Sequence, residues 1–106
     1  MIDLTLREVA AIVGGTLHDV PDPEARVTGT VEFDSREIGP GGLFLALPGA
    51  RVDGHDFAAT AIEKGAVAVL GARPVGVPAI VVRGKTIADA YNLRQHYRDD
   101  RTVAVF

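Results

Sequence analysis

The sequence contains no cysteine among its 106 residues. Disulfides and thiolate metal sites are therefore excluded, and a reducing compartment is compatible. No apolar run approaches the roughly 20 residues that a bilayer-crossing helix needs. The opening, Met1-Ile2-Asp3-Leu4-Thr5, lacks a basic segment followed by an apolar one, so no signal peptide is expected. An excess of one charge is missing too. The formal net charge is −3, which gives no general attraction to nucleic acid or to an anionic membrane. A local anion site stays open, because it depends on a few side chains and not on the total. His18, His55 and His96 form neither an H-x-x-x-H nor an H-E-x-x-H pattern, so no metal site is expected. No nucleophile–base pair is visible, and no catalytic residue is assigned. The expectation is a soluble, cytoplasmic protein with no nucleic-acid partner and no membrane insertion.

What is present is an ordinary globular composition, 47% hydrophobic, in a length that suits one compact domain. Thr5-Leu6-Arg7-Glu8 reads as a capping box. Leu6, Val9, Ala10 and Val13 then fall on one stripe, and Gly14-Gly15 stops the turn, so the pattern predicts a helix over 5–13 and a short strand over 16–18. Residues 19–26 hold Pro21 and Pro23 and read as a loop. The alternation VTGTVEF predicts a strand over 27–33. Gly39-Pro40-Gly41-Gly42 predicts a turn. The run LFLAL at 43–47 is too short for a helix and reads as a buried strand. Asp53 or Asp56 is placed to cap a helix with Phe57, Ala58, Ala61 and Ile62 inside, ended by Gly65. AVAVL at 66–70 and AIVV at 79–82 read as two further buried strands, joined by a glycine- and proline-rich linker. The strand–helix–strand succession predicts an α/β fold, a small mixed sheet with helices packed on it and some parallel pairing. A third helix is expected from Thr86 to about Arg98. Residues 102–106, TVAVF, read as the start of a buried strand with no turn after it, which suggests a chain cut at that point.

The densest chemistry lies between Phe33 and Phe57. Asp34 and Arg36 suit an ion pair that fixes a loop, and Arg36 also suits a ligand phosphate. If the strand alternation continues, Ser35 projects to the other face, where its hydroxyl serves a ligand. Arg51 is either a solvated arginine or part of a loop whose amides, near Ala50, Arg51 and Val52, meet polar groups of a ligand. Asp53-Gly54-His55 shapes a turn and starts a helix, with His55 open to either a capping or a ligand role. Gly84-Lys85-Thr86 matches only the end of a phosphate-binding loop. The glycine needed five positions before Gly84 is Ala79, so the motif fails and a plain strand-to-helix turn is expected.

Taken together, F-D-S-R at 33–36, P-G-G-L-F-L-A-L-P-G at 40–49, D-G-H-D-F at 53–57, Ala61 and Gly65-Ala66 resemble the N-terminal domain of the Mur ligases, the ATP-dependent amide ligases of peptidoglycan synthesis. The resemblance covers essentially the whole chain. LTLREVAAIVGGTL and EFDSREIGPGGLFLALPGARVDGHDF are most similar to the branch that adds D-alanyl-D-alanine to UDP-N-acetylmuramoyl-tripeptide. The branch that adds a diamino acid shares the central pattern. The resemblance implies a UDP-sugar-binding domain over 1–84, and over 85–106 a connector helix with the first strand of a central ATPase domain. It implies that Phe33, Ser35, Ala50, Arg51 and Val52 contact UDP-N-acetylmuramoyl-peptide. It also implies ATP and Mg2+ as cofactors of the intact enzyme, D-alanyl-D-alanine as its second substrate, and a fragment that neither binds these cofactors nor catalyses. A non-enzymatic nucleotide-sugar-binding module is the alternative from another class.

Overall fold

The computed structural model describes residues 3–46 and 53–82. The capping box forms as its sequence dictates. The Thr5 hydroxyl accepts from the Glu8 N–H at 3.1 Å, and the Glu8 carboxylate accepts from the Thr5 N–H at 2.9 Å. Helix α1, Leu6–Val13, follows with Leu6, Val9, Ala10 and Val13 buried, and Gly14 ends it in the left-handed region at φ 66°. Strand β1, Thr16–His18, comes next.

Three parallel pairings build the rest of the sheet. Strands β2, Val31–Glu32, β3, Leu43–Leu45, β4, Ala68–Gly71, and β5, Ala79–Val81, pair in that order, and β1 closes the far edge antiparallel to β5. The mixed sheet and the parallel β3–β4 pair match the sequence reading. Between β3 and β4 run a short 3-10 helix, Gly54–Phe57, and helix α2, Ala58–Glu63. The strand period of two divides the apolar residues between the faces. Leu43, Leu45, Ala68, Leu70, Ile80 and Val82 pack with α1, whereas Phe44, Ala46 and Val69 pack with Ala58 and Ala61 of α2. Both faces are covered, which is why β3, β4 and β5 read as continuous apolar runs.

Two expectations need correction. The strand predicted over 27–33 forms a ladder only at Val31–Glu32. The Thr28 and Gly29 N–H groups both donate to the Gly41 carbonyl, at 3.0 and 2.9 Å, and Val27 donates to Leu4. Their donors are spent on the 39–42 turn and on the N-terminal segment, so the ladder cannot extend back. The turn itself is type II: Gly42 donates to Gly39 at 3.1 Å, Pro40 sits second, and Gly41 takes φ 75°, which an L side chain resists. The second correction is Phe57, expected on the inner stripe of a helix but 38% exposed. The first turn is 3-10, which advances about 120° per residue where an α-helix advances about 100°, and Phe57 at the junction is swung out of the core.

Among the described residues no helix is long and apolar enough to cross a membrane, and no cluster of acidic or histidine side chains could hold a metal ion. The predicted helix from Thr86, the strand at 102–106, the loop at 48–52, Gly84-Lys85-Thr86 and His96 lie outside the described residues.

Candidate functional site: a cleft at the carboxyl ends of β2 and β3

The parallel strands β2 and β3 point their carboxyl ends at one corner of the sheet. There a cleft of about 510 Å³ opens, lined by Phe33, Asp34, Ser35, Arg36, Phe44, Leu45, Gly54 and Phe57. Open α/β sheets place ligands outside the carboxyl ends of their strands because the connecting loops cluster there. Of the four phenylalanines in the sequence, three line this cleft. They arrive from different elements. Phe33 follows β2 and packs toward the α1 side, Phe44 lies within β3 on the α2 side, and Phe57 ends the 3-10 helix. Apolar walls with a few polar groups suit a planar, partly polar ligand.

The polar side of the cleft is the segment after β2. The chain does not continue as a strand through Ser35; it turns, with Glu37 donating to the Asp34 carbonyl at 2.9 Å. The alternation argument for Ser35 therefore lapses, yet the turn still brings Ser35 to the cleft. Ser35 is half-buried, and among the described residues its hydroxyl has no hydrogen-bond partner. Asp34 and Arg36 form the ion pair that the sequence suggests. Arg36 Nε donates to Asp34 Oδ1 at 2.9 Å and Nη2 to Oδ2 at 2.6 Å, while the Arg36 backbone N–H donates to Oδ1 at 2.9 Å. The hydrogen bonds from the Arg36 side chain and backbone pull the Asp34 carboxyl down to about 2, and those same contacts raise the Arg36 guanidinium.

The floor of the cleft near Gly54 is held by a second polar cluster. Asp53 caps the 3-10 helix by accepting from the His55 backbone N–H at 3.0 Å. The buried His55 ring has Nδ1 2.6 Å from Asp53 Oδ1, and its Nε2 accepts from the Ala72 N–H at 2.9 Å. Because Nε2 accepts, the proton sits on Nδ1 and the ring is neutral. Arg73 Nη2 completes the cluster on Asp53 Oδ2 at 2.8 Å. The backbone bond from His55, then Arg73, then the His55 ring push the Asp53 carboxyl well below the ordinary carboxylate range. Both His55 nitrogens are engaged, which resolves its two sequence readings toward the structural one. His55 ties the start of the α2 unit to the end of β4. Gly71 makes this possible, since a Cβ there would stand 2.8 Å from His55 Nε2.

Of the residues the sequence singles out, the structure brings Phe33 and Ser35 together in the cleft. Ala50, Arg51 and Val52 lie outside the described residues; in sequence they belong to the segment joining Leu45 to Gly54, both of which line the cleft. Phe44, Leu45, Gly54 and Phe57 were not singled out as site residues. Phe44 and Leu45 are hidden inside an apolar run that signals core, and Phe57 follows a helix-like spacing. Ala72 and Arg73 carry no sequence signal beyond a glycine- and proline-rich linker.

A family model described as "Mur ligase family, catalytic domain" matches residues 28–105. The UDP-N-acetylmuramoyl-tripeptide--D-alanyl-D-alanine ligase of Mycobacterium leprae (strain TN) is 73% identical over 85 residues, covering 77% of this chain and 16% of that protein. The UDP-N-acetylmuramoyl-L-alanyl-D-glutamate--2,6-diaminopimelate ligase of Geobacillus thermodenitrificans (strain NG80-2) is 54% identical over 54 residues, or 49% of this chain and 11% of that protein. A crystal structure of MurF from Acinetobacter baumannii superposes with a TM-score of 0.73 at 26% identity, over 95% of this chain and 22% of the other. The chain thus spans about a sixth of the length of the curated D-alanyl-D-alanine ligase relative it matches.

Proposed function

The chain belongs to the Mur ligase family, and we propose that it is the part of a D-alanyl-D-alanine-adding ligase that binds the UDP end of UDP-N-acetylmuramoyl-tripeptide. The observation that carries this reading is the cleft: aromatic walls, a half-buried hydroxyl with no partner among the described residues, and a strand-end position. In it, Phe33 offers an apolar wall to the uracil or ribose, and Ser35 donates to a ribose or diphosphate oxygen. Ala50, Arg51 and Val52 contribute backbone groups, with the Arg51 charge, from the segment between β3 and the 3-10 helix. The 73% identity to a D-alanyl-D-alanine ligase, against 54% over a shorter span for a diaminopimelate ligase, favours the first subtype.

The activity proposed for the whole protein is amide-bond formation between the tripeptide carboxylate and the amine of D-alanyl-D-alanine, in the cytoplasm, as a step of peptidoglycan synthesis. Activation of the carboxylate by phosphoryl transfer is the chemistry that ATP and Mg2+ supply in this reading. The described residues do not fit a metal: no three of their acidic or histidine groups come together in a way that could hold one. We therefore assign the described residues binding and orientation, and place no chemical step on them. The cleft is compatible with that assignment, because the Ser35 hydroxyl makes no hydrogen bond to a base among the described residues and His55 is committed on both nitrogens. The proposed division into a binding domain over 1–84 and a connector over 85–106 is kept, although the family match runs across that boundary.

Isothermal titration with UDP and with uridine tests the reading. Saturable binding of UDP is the expected result. Absence of heat with UDP, uridine and UDP-N-acetylmuramoyl-tripeptide alike would remove the nucleotide from this cleft.

A further inference from the structure

The charged side chains that line the cleft, among the described residues, are Asp34 and Arg36. A diphosphate ligand brings about two negative charges to a lip that already carries a carboxylate. The Asp34 side chain is 34% exposed, so its charge is partly open to the cleft. That carboxylate is ionised throughout the physiological range, and its hydrogen bonds from Arg36 lower its pKa further. Yet the Asp34 side chain is needed locally, since its Oδ1 accepts the Arg36 backbone N–H that closes the turn. The guanidinium hydrogen-bonds both carboxylate oxygens, with Nε 2.9 Å from Oδ1 and 3.1 Å from Oδ2, and Nη2 2.6 Å from Oδ2.

We propose that Arg36 is a positioning residue for anionic ligands that acts by cancelling the charge of Asp34, so that the turn-forming carboxylate does not repel a nucleoside diphosphate from the cleft. The inference rests on the nucleotide reading of the cleft given above. It differs from a phosphate-gripping arginine in a testable way. A gripping arginine must leave Asp34 to reach the ligand, whereas here both charge-assisted bonds stay made and what matters is their sum. Among the described residues the neighbouring charges that bear on the pair are Lys64, which acts on Asp34 in the same sense as Arg36, and Glu37, which acts on Arg36.

Titrations of Arg36→Gln, Asp34→Asn and the double variant with UDP and with uridine test the proposal. Arg36→Gln leaves a bare carboxylate at the lip, so UDP binding weakens about tenfold at low salt, the effect of one unit charge on a ligand carrying roughly two to three negative charges at dielectrics between water and a protein surface. Uridine, which has no phosphate, binds within about twofold of wild type on the same argument. Added salt narrows the UDP gap, because the effect is exposed and screened. Asp34→Asn keeps an oxygen for the Arg36 N–H and leaves the guanidinium uncancelled, so UDP binding tightens several-fold. The double variant restores UDP binding to within about threefold of wild type, as the net charge is again zero. A double variant as weak as Arg36→Gln alone overturns the proposal, as does an Asp34→Asn variant that binds UDP more weakly. A wild-type protein that binds neither uridine nor UDP overturns the nucleotide reading instead, so the two failures are distinct. Arg36 is 85% exposed, and matching circular dichroism spectra confirm that the variants compared are folded.

Discussion

Replacing Gly71 by alanine tests whether the His55 clamp is as rigid as its hydrogen bonds imply. Gly71 does not occupy the left-handed region, so alanine meets no backbone penalty there, and in a strand it gains about 0.5–1 kcal/mol of propensity. Against that stands a steric conflict. The new Cβ lies 2.8 Å from Nε2 and 3.0 Å from Cδ2 of His55, with Ala46 Cβ at 3.5 Å beyond. The ring cannot yield cheaply. Its side chain is 1% exposed, Nδ1 is held 2.6 Å from Asp53, and Nε2 accepts from Ala72. Overpacking of this kind costs about 1–3 kcal/mol, and displacing Nε2 from the Ala72 N–H adds about 1 kcal/mol. The expected net loss for Gly71→Ala is about 1–3.5 kcal/mol, a large share of the ~5–15 kcal/mol that holds a domain folded. His55→Ala alone loses two hydrogen bonds and leaves a cavity, for about 3–4 kcal/mol. In that background the Gly71→Ala methyl points into vacated space, and its cost falls to about zero or turns slightly favourable. Urea unfolding of the four members of the cycle, followed by far-ultraviolet circular dichroism, measures the coupling. The expected value is about 2–4 kcal/mol, well beyond the ~0.3–0.5 kcal/mol scatter of independent sites. Equal cost of Gly71→Ala in both backgrounds would falsify the clamp.

The other expectations are simpler to measure. Ser35→Ala weakens UDP binding by about 1 kcal/mol, the net worth of one hydrogen bond, and leaves the urea midpoint unchanged because the hydroxyl makes no internal bond among the described residues; unchanged affinity with an intact fold removes Ser35 from the site. Phe57→Ala changes stability by less than ~1 kcal/mol because the ring is outside the core, while UDP affinity drops; the reverse pattern would put Phe57 back in the core. Thr5→Ala removes the α1 cap for about 1 kcal/mol, read as a lower thermal midpoint, and Thr5→Ser recovers most of it. Asp34 and Asp53 are both depressed in the folded state. Their contribution is therefore complete above the ordinary value of 3.8 and is lost as pH falls through the folded value, about 2 for Asp34. Stability declines as pH falls below about 4, and Asp53→Asn flattens that decline. An acid limb of the same slope in wild type and Asp53→Asn would rule out this source.

Much of the frame was legible because its signals are local. The capping box, the glycine stop after α1 and the Pro40-Gly41 turn each depend on a few neighbouring residues, and the apolar runs at β3, β4 and β5 follow from coverage on both faces. The strand over 27–33 was overcalled because its alternation is real, with Val27 and Val31 both buried, while the hydrogen bonds go elsewhere. Periodicity reports which face a side chain occupies, not where its backbone donors are spent. The site was half legible. The D-S-R run marks the polar lip through chemistry that is contiguous in sequence. Of the aromatic walls only Phe33 was marked, and that through the family resemblance; Phe44 and Phe57 were not, because the sheet alone brings them beside it and each has a bland local explanation. The His55–Ala72 bond spans 17 residues and ends on a backbone N–H, which leaves no trace in side-chain identity.

The sheet also imposes an order in time. Each parallel pair joins neighbours along the chain, but β1 pairs with β5, Thr16 opposite Val81. On a ribosome moving at ~5–20 residues per second, α1 and β1 wait roughly 3–13 s for that partner to be made. During the wait, the stripe of Leu6, Val9 and Val13 has no completed sheet to cover it. The capping box, which needs no distant residue, is the part of α1 that can form before there is anything for the helix to pack against.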